Sequence, residues 1–255
     1  MSETVNQETP EAKSEMTFFE HLGELRGRII KALIGLVIAL IICLVFVNWL
    51  VNNILLYPAK NAHMDLQNLR PFGLLFMYFQ VAMAAAVVLS LPNLFYQFWQ
   101  FISPALREKE KKYLVTIVFF STFCFLVGIV FAYFVMLPLT LTFVANFGAD
   151  SIIKNQFAID EYMDIIVSIM LACGVIFELP MISFFLSKIG ILTPAFMRKY
   201  RRHAIVIIMF MAAILSPGTD PVSQIILAIP LVVLYEISII VSKYSGRKKD
   251  VEPAS

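Results

Sequence analysis

Four predominantly apolar stretches, each long enough to cross a lipid bilayer, constrain what this chain can fold into. They are Ala32–Val51, Gly73–Trp99, Tyr113–Leu137 and Ile165–Ser187. A helix needs about 20 apolar residues to traverse a hydrocarbon core roughly 30 Å thick. Two shorter runs, Ala204–Leu215 and Ile225–Val241, flank the hexapeptide SPGTDP. Twelve residues at about 1.5 Å each reach only about 18 Å. That pair is therefore either two short spans in a locally thinned membrane or a re-entrant hairpin. The expected fold is an all-α membrane protein of six transmembrane helices, the last two short. Composition agrees, with 60% hydrophobic residues and only 15% charged, and a mean hydropathy of +0.81. The first apolar run follows a charged leader without a small-residue cleavage pattern, so it reads as a retained anchor.

Charge distribution sets the expected orientation. Of the 20 Lys and Arg residues, 17 fall in the N-terminal segment, in the loops after the second and fourth runs, and in the C-terminal tail. Only Lys60, Arg70 and Lys154 fall on the opposite side. The positive-inside rule then places both termini in the cytoplasm. Residues 1–15 are polar and lack apolar periodicity, as a disordered tail does. Residues 16–243 make up the membrane domain, and 244–255 form a second cytoplasmic tail. The outer connection around Leu137–Asp160 is polar at its centre and is expected to form a small cap.

Several chemistries lack their residues. A net charge of +2 gives no bulk attraction to nucleic acid. There is no phosphate-binding Gly-Lys-Ser/Thr loop and no H-E-x-x-H motif. Cys43, Cys124 and Cys173 lie in apolar runs without metal spacing and act as small hydrophobes. Neither an enzyme nor a cofactor is indicated.

Carboxylates are the remaining candidates. In FFEHLGELRGR (18–28), Phe18, Leu22, Leu25 and Ile29 form one helical stripe, while Glu20, Glu24 and Arg28 form another. This describes an interfacial helix leading into the first span. Its acid either pairs with Arg28 on a solvated face or accepts a cation from a ligand. In FISPALREKEKK (101–112), Ser103-Pro104 suits a helix start, and Glu108 and Glu110 sit among four cations. Such a run is either a soluble, topology-setting loop or a place where acids act as receptor groups.

Deeper in the membrane, GVIFELP (174–180) holds one acid, Glu178, the fourteenth residue of its 23-residue run. An ionised carboxylate exposed to lipid at that depth costs at least a few kcal/mol. Gly174 lies one turn earlier on the same face and leaves room for water or another backbone. Pro180 cannot donate to the carbonyl of Ile176, which kinks the helix and frees an acceptor beside the acid. The acid either orders the bundle through an interhelical hydrogen bond or docks a polar group of a partner helix. Gln80, Ser90, Asn93 and Gln97 add polar positions to the second span, and Pro92 should bend it.

HLGELR (21–26), YQFWQFISPAL (96–106), GVIFELP (174–180) and SPGTDPVSQ (216–224) occur in that order. On these four motifs the chain resembles the TatC family, receptor subunits of the twin-arginine protein translocase, over about residues 16–243. The resemblance implies a cupped six-helix bundle in the bacterial cytoplasmic (inner) membrane that binds twin-arginine signal peptides of folded cargo. It further implies assembly with TatA- and TatB-type single-span partners, a homo-oligomeric complex, and energy from the protonmotive force. Signal-peptide binding maps to Glu24 and Glu110, with Leu25, Arg26, Phe101 and Pro104 around them. Glu178 and Pro180 map to the concave face, and Ser216, Asp220 and Gln224 to the partner-engaging outer turn. Pro58 matches a proline that shapes the first outer loop. The chain departs from the family pattern at Ser216-Pro217, where Thr-Pro is common, and at Gln80, where lysine is common. The competing reading is an ion-coupled solute transporter, a class that uses several intramembrane charges and repeated halves. Here there is one deep acid, with Glu236 near the inner end of the last run, and no repeat.

Overall fold

The computed structural model describes residues 18–62, 64–102, 114–146, 156–188, 190–215 and 221–245. Glu110, Pro104, Ser216 and Asp220 lie outside them. The chain opens with α1, Phe18–Leu50, which continues through a π-helical turn, Val51–Leu55, into the short α2, Tyr57–Asn61. Next come the two-residue strand β1, Leu66–Gln67, and then α3, Gly73–Ile102, unbroken through Pro92. Helix α4, Leu114–Phe131, passes through a second π turn, Ala132–Met136, into α5, Leu137–Asn146. Strand β2, Phe157–Ala158, leads into α6, Ile159–Ile176, followed by α7, Leu179–Lys188. The chain closes with α8, Pro194–Lys199; α9, Arg201–Leu215; and α10, Pro221–Ser245.

Among the described residues, five stretches are long and apolar enough to cross a membrane: 22–61, 73–102, 114–142, 159–188 and 227–244. The sixth, α9, has 15 residues and spans only about 22 Å. Such a chain is an all-α, multi-pass membrane protein. Its apolar surface follows from that solvent: Val45 is 73% exposed, Val115 72% and Phe134 69%, as expected of side chains that face lipid. The N-terminal amphipathic segment is not a separate helix. It is the first turns of α1, continuous with the first span, because nothing between Phe18 and Ala32 breaks a helix.

The main core joins α1, α3, the π turn after α4, α5, α6, α9 and α10 around Met77, Val81, Met136, Met163 and Ile166. A second cluster, Trp99, Ile117, Val118, Met181 and Phe185, lies where α3, α4 and α7 meet. Small residues set the closest approaches, as is usual where lipid provides no hydrophobic drive between helices. A Cβ on Gly128 would lie 2.7 Å from the Cys173 carbonyl oxygen and 2.9 Å from the Gly174 Cα, so α4 and α6 cross backbone to backbone. A Cβ on Gly174 would lie 2.5 Å from the Phe125 ring. The space beside Glu178 is thus filled by another helix.

Loops gather at the end of the bundle opposite the cationic loops. Strands β1 and β2 pair in parallel, Leu66 with Phe157 and Gln67 with Ala158, joining the first outer connection to the second. The edge of the expected cap thus carries a short β pair, while its centre, 147–155, lies outside the described residues. Two tyrosines clasp the same end. Tyr162 donates its hydroxyl to the Leu55 carbonyl at 2.8 Å and accepts the Ala59 amide at 3.0 Å. Tyr133 donates to the Ile54 carbonyl at 2.8 Å. Both carbonyls belong to the π turn that ends α1, where the regular ladder leaves acceptors to be satisfied from elsewhere.

Candidate functional site

At the cationic end, α1 and α3 run antiparallel and their register can be followed residue by residue. The Asn93 amide occupies the space that the missing side chain of Gly35 leaves. Its Nδ2 donates to the carbonyls of Lys31 at 3.4 Å and Ala32 at 3.5 Å. One turn nearer the rim, Gln97 Nε2 donates to Asn93 Oδ1 at 3.4 Å, while its buried Oε1 has no partner. Moving four residues along each antiparallel helix from Asn93 and Ala32 reaches Gln97 and Arg28. Another four reach Phe101 and Glu24. The half-buried Phe101 therefore lies level with Glu24, although 77 positions separate them in the chain.

Glu24 is itself engaged. Its Oε1 accepts Arg28 Nη2 at 2.8 Å, with the two side chains only 23% and 18% exposed. The pair that the i, i+4 spacing offers is formed, and it uses one of the two carboxylate oxygens. Leu25 is half-buried and Arg26 exposed. An acid beside a cation on its own helix can exchange that partner for an incoming guanidinium, whose planar fork engages both oxygens at once.

Glu178 is buried, 7% exposed, at the break between α6 and α7. Phe177 and Glu178 form a turn in which their amides bond back to Cys173 at 2.9 Å and Val175 at 3.1 Å. Pro180, with no amide to give, accounts for the interruption. The helix restarts with Ile182 donating to the Glu178 carbonyl at 2.8 Å. The acid faces α4, where Ser121 and the backbone of Phe125 are its polar neighbours. Glu178 Oε1 and the fully buried Ser121 Oγ nevertheless both lack a hydrogen-bond partner. No Lys or Arg forms an ion pair with Glu178 among the described residues. Buried polar atoms are costly to leave unpaired, and the carboxyl and the adjacent Ser121 hydroxyl are each other's nearest available partners.

The remaining assigned residues serve local geometry. Pro58 is buried near the start of α2, and its carbonyl accepts the Ala62 amide at 3.0 Å. Gln224 Nε2 donates to the Met209 carbonyl at 2.9 Å, tying α10 to the short α9. Arg201 and Glu236 form an ion pair at 2.8 Å that ties the same two helices at the cationic end.

One polar cluster lies before Ile165, where the fourth apolar run begins, and hydropathy does not mark it. Helix α6 begins six residues earlier, with Asp160 and Glu161 in its first turn, where a helix favours anions. Arg70 approaches Asp160 at 3.2 Å and Glu161 at 3.7 Å. Gln80 Nε2 donates to Asp164 Oδ1 at 2.8 Å. With Phe72 and Phe76 these residues line an open cavity of about 690 Å³. The i, i+1, i+4 spacing of the three acids was the available signal.

Comparison with known proteins places this geometry. The family described as "Sec-independent protein translocase protein (TatC)" matches residues 20–230. The chain is 34% identical to the Sec-independent protein translocase protein TatC of Blattabacterium sp. subsp. Periplaneta americana, over 93% of this chain and 98% of that one. It is 39% identical to the protein of the same name from Desulforapulum autotrophicum, over 91% of this chain and 86% of that one. A crystal structure of the twin arginine translocase receptor TatC superposes with a TM-score of 0.80 at 34% identity, covering 89% of this chain and all of that one.

Proposed function

The chain belongs to the TatC family, non-enzymatic components of Sec-independent protein translocation, and from that premise we propose that it is the signal-peptide receptor of its translocase. It sits in the bacterial cytoplasmic membrane with both termini in the cytoplasm. Consecutive arginines of a signal peptide engage Glu24 and Glu110, against Phe101 and Pro104, with Leu25 and Arg26 beside them. The register of α1 on α3, which sets Phe101 level with Glu24, carries this reading. The apolar part of the signal peptide then enters the bundle towards Glu178 and the adjacent Ser121 hydroxyl. Pro180 keeps that acid at a helix break. Single-span TatA- and TatB-type subunits assemble at the outer turn, through Ser216, Asp220 and Gln224, in a complex with several copies of this chain.

Selectivity for arginine is the discriminating property. A guanidinium offers parallel donors to a carboxylate, whereas an ammonium acts as a point charge. Calorimetry on the detergent-purified chain should show a Lys-Lys signal peptide binding at least tenfold more weakly than its Arg-Arg parent, roughly the loss of one charge-assisted hydrogen bond. Equal affinities would refute the assignment. In cells, Glu24→Ala and Glu110→Ala should each abolish export of an Arg-Arg reporter while the variant remains inserted at normal level. Loss of insertion would instead make these acids structural.

A further inference from the structure

We propose that the segment from Ile191 to Arg202 is a docking site for the phosphate headgroups of anionic membrane lipids. Between Glu178 and Asp220 the chain contains five Lys and Arg residues and no acid at all. One cation of the five, Arg201, is neutralised by Glu236 of α10. Arg198, Lys199 and Arg202 are exposed and form no ion pair among the described residues. A surface of this sign repels an arginine-bearing signal peptide, so it serves a different ligand from Glu24.

The local build is that of a membrane-surface element. Thr193 caps α8 by accepting the Phe196 amide at 3.2 Å. Met197 is buried against the bundle, and its carbonyl accepts the Tyr235 hydroxyl at 2.9 Å, which pins the short helix to α10. The residues around that anchor turn outwards: Ile191 is 71% exposed, Phe196 52% and Tyr200 41%. The Phe196 and Tyr200 rings meet with centroids 4.5 Å apart, tilted by 43°, and Lys199 Nζ lies 5.9 Å from the Tyr200 centroid. Aromatic rings with cations beside them are the composition found where headgroups meet acyl chains. The surface continues directly into the exposed apolar face of α9, formed by Val206, Ile207 and Phe210. That continuity with a lipid-facing helix favours a lipid over an acidic polypeptide: the same ligand satisfies the cations with its phosphate and the α9 face with its tails.

The test titrates the full-length chain in mild detergent with dioctanoyl phosphatidylglycerol and follows the unfolding midpoint. Each cation near a headgroup contributes roughly fivefold in affinity, so R198Q/K199Q/R202Q should bind about a hundredfold more weakly than the unmodified chain. Lys199→Gln alone should lose about fivefold, and it carries the test if the triple variant does not fold. Lys60→Gln, at the opposite end of the bundle, should bind unchanged. Equal affinity of the triple variant and the parent would overturn the proposal. So would an equal shift produced by dioctanoyl phosphatidylcholine or inorganic phosphate, or displacement of the lipid by a polyglutamate peptide.

Discussion

Glu178 shows what a single buried acid can do in a bilayer. Left ionised and alone at mid-depth it would cost at least a few kcal/mol, and among the described residues no cation compensates it. What surrounds it is Ser121 across the α4 interface and the turn that Pro180 imposes. A side chain in this position works through hydrogen bonding, so retaining an amide should matter more than retaining a charge. Glu178→Gln should keep most export of an Arg-Arg reporter, whereas Glu178→Ala should reduce it severalfold. Equal defects in the two variants would show that the carboxylate itself is required. The depth of this acid was readable from its place in the apolar run. Its place beside Ser121 was not, because Ser121 is 57 residues away in the chain.

At the scale of elements, helix ends and breaks determine how the bundle is tied. The π turn after α1 is held from two different helices, by Tyr133 beyond α4 and by Tyr162 of α6. Tyr162 serves as donor and acceptor at once, so Tyr162→Phe strands both the Leu55 carbonyl and the Ala59 amide. Leaving such buried groups unpaired should lower stability by about 1–3 kcal/mol per group. A drop in the unfolding midpoint of the purified chain, with signal-peptide affinity measured at the opposite end unchanged, is the expected result. An unchanged midpoint would mean that water replaces both bonds. Pro58 lies one residue before Ala59, so its buried position belongs to the same clasp. Helix existence was evident from the apolar runs. Neither the clasp nor the β1–β2 pair was, since one tyrosine inside an apolar run, another just before one, and a two-residue strand carry no periodic signal.

For the whole molecule, the expected span number and orientation rest on two additive quantities, apolar length and cation count. Orientation is tested by placing one cysteine at Thr219 in a background lacking Cys43, Cys124 and Cys173. An impermeant thiol reagent added outside intact cells should label it. Labelling only after permeabilisation would invert the topology or place the turn within the bilayer. What the sequence alone determined is a multi-pass helical chain with 17 of its 20 cations in segments expected on one side, a deep acid near a proline, and four ordered motifs of one family. Length, charge and motif order are properties of a line, and they survive without knowing which helices touch. The tertiary structure decided the level of Phe101 against Glu24, the burial of Glu178 beside a serine hydroxyl, and the two-tyrosine clasp. It also decided which cations stay unpaired. Each of these depends on distances of a few ångströms between residues from 35 to more than 100 positions apart, and only the packing of helices sets such distances.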